Sequence, residues 1–134
     1  MTPQAAAFLE KARKLLADAD IMLGASLNDA AGRNAYLAGF HAAQALIFEQ
    51  TGKVLKTHNG VHSEFQRLTK DDAVIGAALR SFLSRAYNLK AVADYETGPG
   101  SSVSPERAAE ATATGKVFAA KIDEILSAIG RPDA

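Results

Sequence analysis

The 134-residue sequence contains no cysteine and no tryptophan, and aromatic residues make up only 7% of it. Without cysteine the chain has no disulfide, no thiolate zinc site and no cysteine nucleophile. It also lacks any apolar run of about 18 residues, and charges occur within the first ten positions, so we expect neither a membrane span nor a secretion signal. The cytosol is the simplest location for such a chain.

The 48% of hydrophobic residues are mainly alanine, leucine, isoleucine and valine, a mixture that suits closely packed helices. The length is that of one domain, and we predict a single all-α domain over residues 1–134. Fifteen basic and fifteen acidic residues give zero formal net charge, which disfavours adhesion to nucleic acid by charge alone. Basic residues nevertheless outnumber acidic ones between positions 33 and 90.

Capping residues and apolar periodicity divide the chain into five predicted helices. They run from a Thr2 cap and Pro3 to about Gly24, from an Asn28 cap to Gly52, from a Thr57 cap through Leu68, from the "TKDD" segment at 69–72 through Ala93, and from Pro105 to a stop at Gly130 and Pro132. The segment "TGPGSSVS" at 97–104 is the predicted long loop. Because every helix has an apolar stripe, we predict an antiparallel up-and-down four-helix bundle with an additional short helix.

The histidines raise the question of a metal site. His58 and His62 have the i, i+4 spacing of two ligands on one helix face, but a zinc site needs at least a third ligand. We therefore expect no metal and no cofactor, with His58 hydrogen-bonded near the helix start, His62 facing water and His41 half-buried. The chain also has no serine in a strand-turn-helix elbow and no lysine-containing phosphate loop.

Three segments, "YLAGFHAA" at 36–43, "KTH" at 56–58 and "LSRAYNLKAVADY" at 83–95, occur in this order along the chain. Together they resemble the small prokaryotic branch of the HEPN domain family (higher eukaryotes and prokaryotes nucleotide-binding). The resemblance implies a helical bundle, frequent dimerisation and roles around nucleotides or RNA, and we expect this chain to form a homodimer. It also implies a pairing, common in toxin–antitoxin systems, with a minimal nucleotidyltransferase.

The ribonuclease members of this family carry an arginine, a polar residue and then a histidine, but the fourth predicted helix has no histidine. It has Lys90 and Asp94 instead, and an exposed aspartate stays ionised near neutral pH. We therefore predict a non-catalytic nucleotide- or RNA-binding and regulatory module. Two alternatives stay open: a ribonuclease using His41 or His58 with Arg33 or Arg85, and a scaffold that binds no nucleotide.

Paired cations and a tyrosine near the end of the fourth predicted helix suggest where a phosphate-bearing ligand binds. The expected ligand-binding residues are Arg33, Asn34, Arg85, Lys90 and Tyr95. Accessory residues are His41, Lys56, His58 and Asp94. We expect Arg85 to lie deeper in this groove and Lys90 to lie at its rim.

Overall fold

The computed structural model describes residues 1–98 and 101–129, and in these ranges the regular structure consists of six α-helices with no strand. The helices are α1 (Pro3–Gly24), α2 (Asn28–Thr51), α3 (His58–Thr69), α4 (Gly76–Arg80), α5 (Phe82–Tyr95) and α6 (Pro105–Ile129). The prediction of an all-α fold is confirmed. Part of the predicted loop, at positions 99 and 100, and the predicted stop at Gly130 and Pro132 lie outside the described residues.

Most of the predicted helix ends are confirmed. The hydroxyl of Thr2 accepts a hydrogen bond from the backbone N–H of Ala5 at 3.2 Å, and that of Thr57 accepts one from Gly60 at 3.0 Å. Each bond satisfies a backbone donor that has no partner inside its own helix. At the end of α2, Gly52 has φ +75°, a left-handed conformation that glycine adopts without a Cβ clash.

The predicted cap at Asn28 is wrong, because Leu27 occupies the N-cap position and makes no side-chain cap bond. The neighbouring acidic residue has another role. Asp29 Oδ1 accepts a hydrogen bond from the backbone N–H of Val103 at 2.7 Å. Val103 is buried, so this bond fixes the segment before α6 against the start of α2.

The fourth helix does not begin at "TKDD". Asp72 Oδ1 accepts a bond from the backbone N–H of Val74 at 2.9 Å, which stabilises a turn rather than a helix start. Gly76, with φ +73°, then begins the short α4. A second break follows at Ser81, whose hydroxyl donates to the carbonyl of Ala78 at 3.0 Å, and α5 begins at the next residue.

Helix α2 lies at the centre of the bundle and packs against α1, α3, α5 and α6. The connection from α1 covers only residues 25–27, as expected for neighbouring antiparallel helices. Small residues let the helices approach closely. A Cβ on Gly39 would lie 2.6 Å from Phe82 of α5, and one on Gly115 of α6 would lie 3.0 Å from Leu16 of α1.

Candidate functional site

A buried tyrosine joins two histidines where α3 crosses α2. The hydroxyl of Tyr36 is 2.7 Å from His58 Nδ1 and 2.8 Å from His62 Nε2. His58 and His62 lie four positions apart on α3, so both rings face the same side of that helix. Since a phenol has one proton, it donates to one imidazole nitrogen and accepts from the N–H of the other.

Burial changes the acid–base behaviour of these three side chains. It raises the pKa of Tyr36 above its usual range, and the neighbouring Tyr87 adds to the increase. Burial also lowers the pKa of His58, with a further decrease from the charge of Lys90. The pKa of His62 is lowered by burial and by His58. At neutral pH the phenol and both imidazoles are therefore uncharged.

A cation cluster lies on α5 beside these rings. Lys90 Nζ donates to Asp94 Oδ2 at 2.7 Å, and Arg33 Nε of α2 donates to Asp94 Oδ1 at 2.8 Å. Lys90 Nζ also lies 4.9 Å from the ring centroid of Tyr95, within the range of a cation–π contact. The single carboxylate is thus shared by two cations, with an aromatic face next to them.

The members of the cation cluster differ in exposure. Lys90 is only 7% exposed, whereas Tyr95 is 72% exposed. The hydrogen bond with Asp94 raises the pKa of Lys90, and the same bond lowers the pKa of Asp94. Both side chains therefore stay ionised near neutral pH, and two cations against one carboxylate leave one net positive charge.

The tyrosine–histidine group and the cation cluster form one continuous surface. On α2, Arg33 precedes Tyr36 by three positions, and on α5, Tyr87 precedes Lys90 by three, so each pair shares a helix face. The Tyr87 ring lies 5.1 Å from the His58 ring and 5.3 Å from the Tyr36 ring. We call this surface the polar seam; it consists of Arg33, Tyr36, His58, His62, Tyr87, Lys90, Asp94 and Tyr95.

Two of the residues expected at the ligand site lie elsewhere. Asn34 is buried, and its Nδ2 donates to the carbonyl of Leu15 in α1 at 3.3 Å. Arg85 lies on the side of α5 that faces α6, and its Nη2 donates to the carbonyl of Ala78 at 3.0 Å. The expected order of depth is also wrong, because Lys90 is buried and Arg85 is exposed.

Two of the expected accessory residues also lie apart from the polar seam. His41 is half-buried, as expected, and its Nδ1 is 2.7 Å from Gln44 Oε1. Gln44 in turn donates to the carbonyl of Leu55 at 2.7 Å, so this pair holds the segment after α2. Burial lowers the pKa of His41. Lys56 is exposed in the turn before the Thr57 cap.

Sequence reasoning missed three members of the seam. His62 does not face water but is half-buried against the Tyr36 hydroxyl. Tyr36 belongs to the segment at 36–43 and Tyr87 to the segment at 83–95, but neither is among the residues expected at the site. The i, i+3 spacing of Tyr87 and Lys90 was a usable signal, because it puts a tyrosine and a cation on one helix face.

The structure also bears on metal binding and membrane spanning. Within residues 1–98 and 101–129, no group of three or more histidine, aspartate or glutamate side chains could hold a metal ion. His58 and His62 each have one ring nitrogen within hydrogen-bond distance of the Tyr36 hydroxyl. In the same described ranges, no helix is long and apolar enough to cross a membrane.

Comparison with known proteins identifies a family. The family model of the HEPN domain matches residues 5–125, which is most of the chain and includes every residue of the polar seam. A search of curated proteins finds no match.

Proposed function

The chain belongs to the HEPN family, and from this premise we propose that it is a non-catalytic module that binds a nucleotide or RNA phosphate at the polar seam and has a regulatory role. Membership by itself indicates a module related to nucleotides or RNA. The observation that carries the finer proposal is the almost fully buried Lys90, held by Asp94 beside Arg33 and the exposed ring of Tyr95.

This cluster suits a phosphate-bearing ligand. A guanidinium has five N–H donors, and Arg33 directs only its Nε at Asp94, which leaves donors for phosphate oxygens. Lys90 supplies a second positive charge close by. The exposed ring of Tyr95 offers a face on which a base stacks, as in proteins that bind single strands.

The test is a titration of ATP and of a short single-stranded RNA into the wild type, Arg33→Ala, Tyr95→Ala and the control Arg13→Ala. We expect Tyr95→Ala to weaken RNA binding by roughly 5- to 150-fold, the equivalent of about 1–3 kcal/mol for one stacked base. Arg33→Ala should weaken the binding of both ligands. Arg13→Ala should change the binding of neither ligand, because Arg13 of α1 pairs with Asp123 of α6, outside the polar seam.

Salt dependence gives the same experiment a second readout. With two cations meeting phosphates, the slope of log K against log salt should be about −1.4 for a single strand. If the wild type binds neither ligand, or if Arg13→Ala and Arg33→Ala weaken binding equally, the proposed site is wrong and the scaffold alternative is favoured.

A ribonuclease is the second candidate, and the Tyr36–His58–His62 arrangement is the observation that favours it. Two imidazoles with centroids 6.4 Å apart have the residue types for general acid–base cleavage of RNA. One imidazole must be protonated to act as the acid, however, and both have lowered pKa values. We therefore rank binding above cleavage at neutral pH.

Incubating purified protein with RNA distinguishes these two functions. We expect no cleavage by the wild type. Reproducible cleavage that is lost in His58→Ala and His62→Ala, but kept in His41→Ala, would establish the ribonuclease instead. His41 is the matched control because it is half-buried like the other two but bonds to Gln44 outside the seam.

The proposed assembly is a cytoplasmic homodimer that partners a minimal nucleotidyltransferase in a toxin–antitoxin-like system. HEPN domains commonly dimerise. Exposed apolar side chains such as Ile21 and Val117 are available for contact between copies. Sedimentation at micromolar concentration tests the dimer, and a clean monomer contradicts it. An adjacent gene for a small nucleotidyltransferase would support the pairing.

A further inference from the structure

A cavity of about 260 Å³ lies between α5 and α6, on the side of α5 away from the polar seam. Its apolar lining consists of Phe82, Ala86, Leu89 and Ala111. Helices α5 and α6 contact each other sparsely compared with their contacts to α2. The small side chains of Ala86 and Ala111 leave a gap there, and this gap is the cavity.

Two arginines also line this cavity. Arg85 comes from α5 and Arg107 from the first turn of α6, and both are exposed. Among the described residues, no carboxylate oxygen lies within 4.0 Å of either guanidinium. Glu110 lies in the lining as well, so the three charged groups carry one net positive charge. Arg85 uses Nη2 to donate to the carbonyl of Ala78 and keeps its other donors.

We propose that this cavity binds a small aromatic anion, with the ring against the apolar lining and a carboxylate or phosphate group between Arg85 and Arg107. Burying an aromatic ring against the apolar lining is favourable in free energy. Guanidinium groups pair with a carboxylate or a phosphate through two parallel hydrogen bonds. Because the volume is just below the roughly 300–1,000 Å³ of sites for drug-sized molecules, the ligand is smaller than those.

This binding site goes beyond the proposed function and does not depend on it. Arg85 and Lys90 are five positions apart on α5, which separates their directions by about 140° around the helix. The two surfaces therefore face different neighbours, α6 for Arg85 and α2 for Lys90. A ligand in the cavity does not touch the histidines of the seam.

The test uses three related probes and amide chemical shifts of the ¹⁵N-labelled chain. The probes are 2-naphthoate, 2-naphthyl phosphate and the uncharged 2-naphthamide. We expect both anions to cause saturable shifts in residues 82–89 and 107–114, with 2-naphthamide binding at least about tenfold more weakly because it lacks the charge. The anion that binds more tightly then shows whether the site prefers a carboxylate or a phosphate.

Two variants and one control locate the binding. Arg107→Gln removes an exposed charge without disturbing the core and should weaken the binding of both anions at least about tenfold. Ala111→Leu fills the cavity and should abolish binding. Ala113→Leu, exposed on the same helix, should bind as the wild type does. If Ala111→Leu does not fold, the anion binding of Arg107→Gln alone tests the proposal.

Several results would overturn the proposal. They are the absence of saturable shifts with either anion, equal binding of 2-naphthamide and 2-naphthoate, and unchanged anion binding by Arg107→Gln. Shifts confined to the residues of the polar seam would also overturn it, while leaving the nucleotide site standing.

Discussion

At the scale of single residues, the hydroxyl of Tyr36 is the group on which the polar seam depends. It is fully buried and bonds to one nitrogen on each of His58 and His62. A buried polar group without a partner costs free energy, and here one hydroxyl satisfies two rings. The loss of this hydroxyl would therefore remove one hydrogen bond from each of the two imidazoles.

Removing this hydroxyl should reduce stability. We expect Tyr36→Phe to lower the free energy of unfolding in urea by about 1–3 kcal/mol, because two half-buried imidazole nitrogens lose their bonds. Tyr87→Phe is the matched control, since Tyr87 packs against the same rings with its edge. If Tyr36→Phe lowers the free energy of unfolding no more than Tyr87→Phe does, the bonds of the Tyr36 hydroxyl do not stabilise the fold.

The lowered pKa values of His58 and His62 predict a pH dependence of stability. Between each lowered pKa and the ordinary value of about 6.5, the unfolded chain binds more protons than the folded one, so stability increases with pH there. The free energy of unfolding should therefore decrease from pH 7.5 to pH 5.5. At pH 5.5 most carboxyl groups, with ordinary pKa values near 4, are still ionised.

Urea unfolding at the two pH values measures this effect. We expect the double variant His58→Gln, His62→Gln to lose less stability on acidification than the wild type. His41→Gln is the single-site comparison, because burial also lowers the pKa of His41 outside the seam. An equal loss in the double variant and the wild type would mean that the seam histidines do not cause the pH dependence.

At the scale of helices, α2 decides how closely the bundle packs. It is buried over most of its length, from Ala31 to Ile47, and much of its surface is alanine or glycine. Gly39 is the tightest point, since its missing side chain makes room for the buried Phe82 and Leu83 of α5. Phe82 in turn packs on Phe118 of α6 with ring centroids 5.3 Å apart, so it has little freedom to move.

Adding one methyl group at this contact should be destabilising. A Cβ on Gly39 would lie 2.6 Å from Phe82 Cε2 and 3.0 Å from Leu83 Cδ2. Overpacking costs about 1–3 kcal/mol and outweighs the gain of up to about 1 kcal/mol from alanine's helix propensity. We expect Gly39→Ala to lower the midpoint of urea unfolding.

The control for this change is Gly24→Ala at the end of α1. No atom lies within 4 Å of the added Cβ, so the variant should unfold at the wild-type midpoint or slightly above it. Equal midpoints for Gly39→Ala and Gly24→Ala would show that the contact of α2 with α5 is looser than described.

At the scale of the whole molecule, the interpretation of residues 1–134 as one domain predicts one cooperative unfolding transition. Four helices pack on α2, and ion pairs such as Arg13–Asp123 and Lys116–Asp20 join α1 to α6. Far-UV circular dichroism reports all helices, and near-UV signals report the tyrosines of the seam. Both should give the same midpoint in urea, because α2 contributes buried residues to both hydrophobic clusters of the described bundle and so links them.

Two separate transitions would refute the single-domain interpretation. A near-UV transition that precedes the far-UV one would indicate that α3 and the polar seam detach first.

The zero formal net charge matters to the design of the experiment. A chain near its isoelectric point of about 6.8 associates readily, so unfolding is best compared at two protein concentrations.

The sequence by itself determined the features that depend on neighbouring residues. The caps at Thr2 and Thr57 and the left-handed Gly52 follow from bonds that span three or four positions, and these predictions are confirmed. The resemblance to the family was also visible in the sequence, and the family model matches residues 5–125. Two local predictions are wrong. Leu27 rather than Asn28 is the N-cap of α2, and the acidic residues before Gly76 stabilise a turn as well as they would a helix start.

Only the tertiary structure decided which side chains meet. The bond from Tyr36 to His58 spans 22 positions and the ion pair of Arg33 with Asp94 spans 61. Such contacts depend on how each helix is rotated about its axis, and a rotation of about 100° per residue moves a neighbour such as Asn34 to another face. Periodicity shows that a helix has a buried side, but packing against α1, α3, α5 and α6 decides which polar groups meet there.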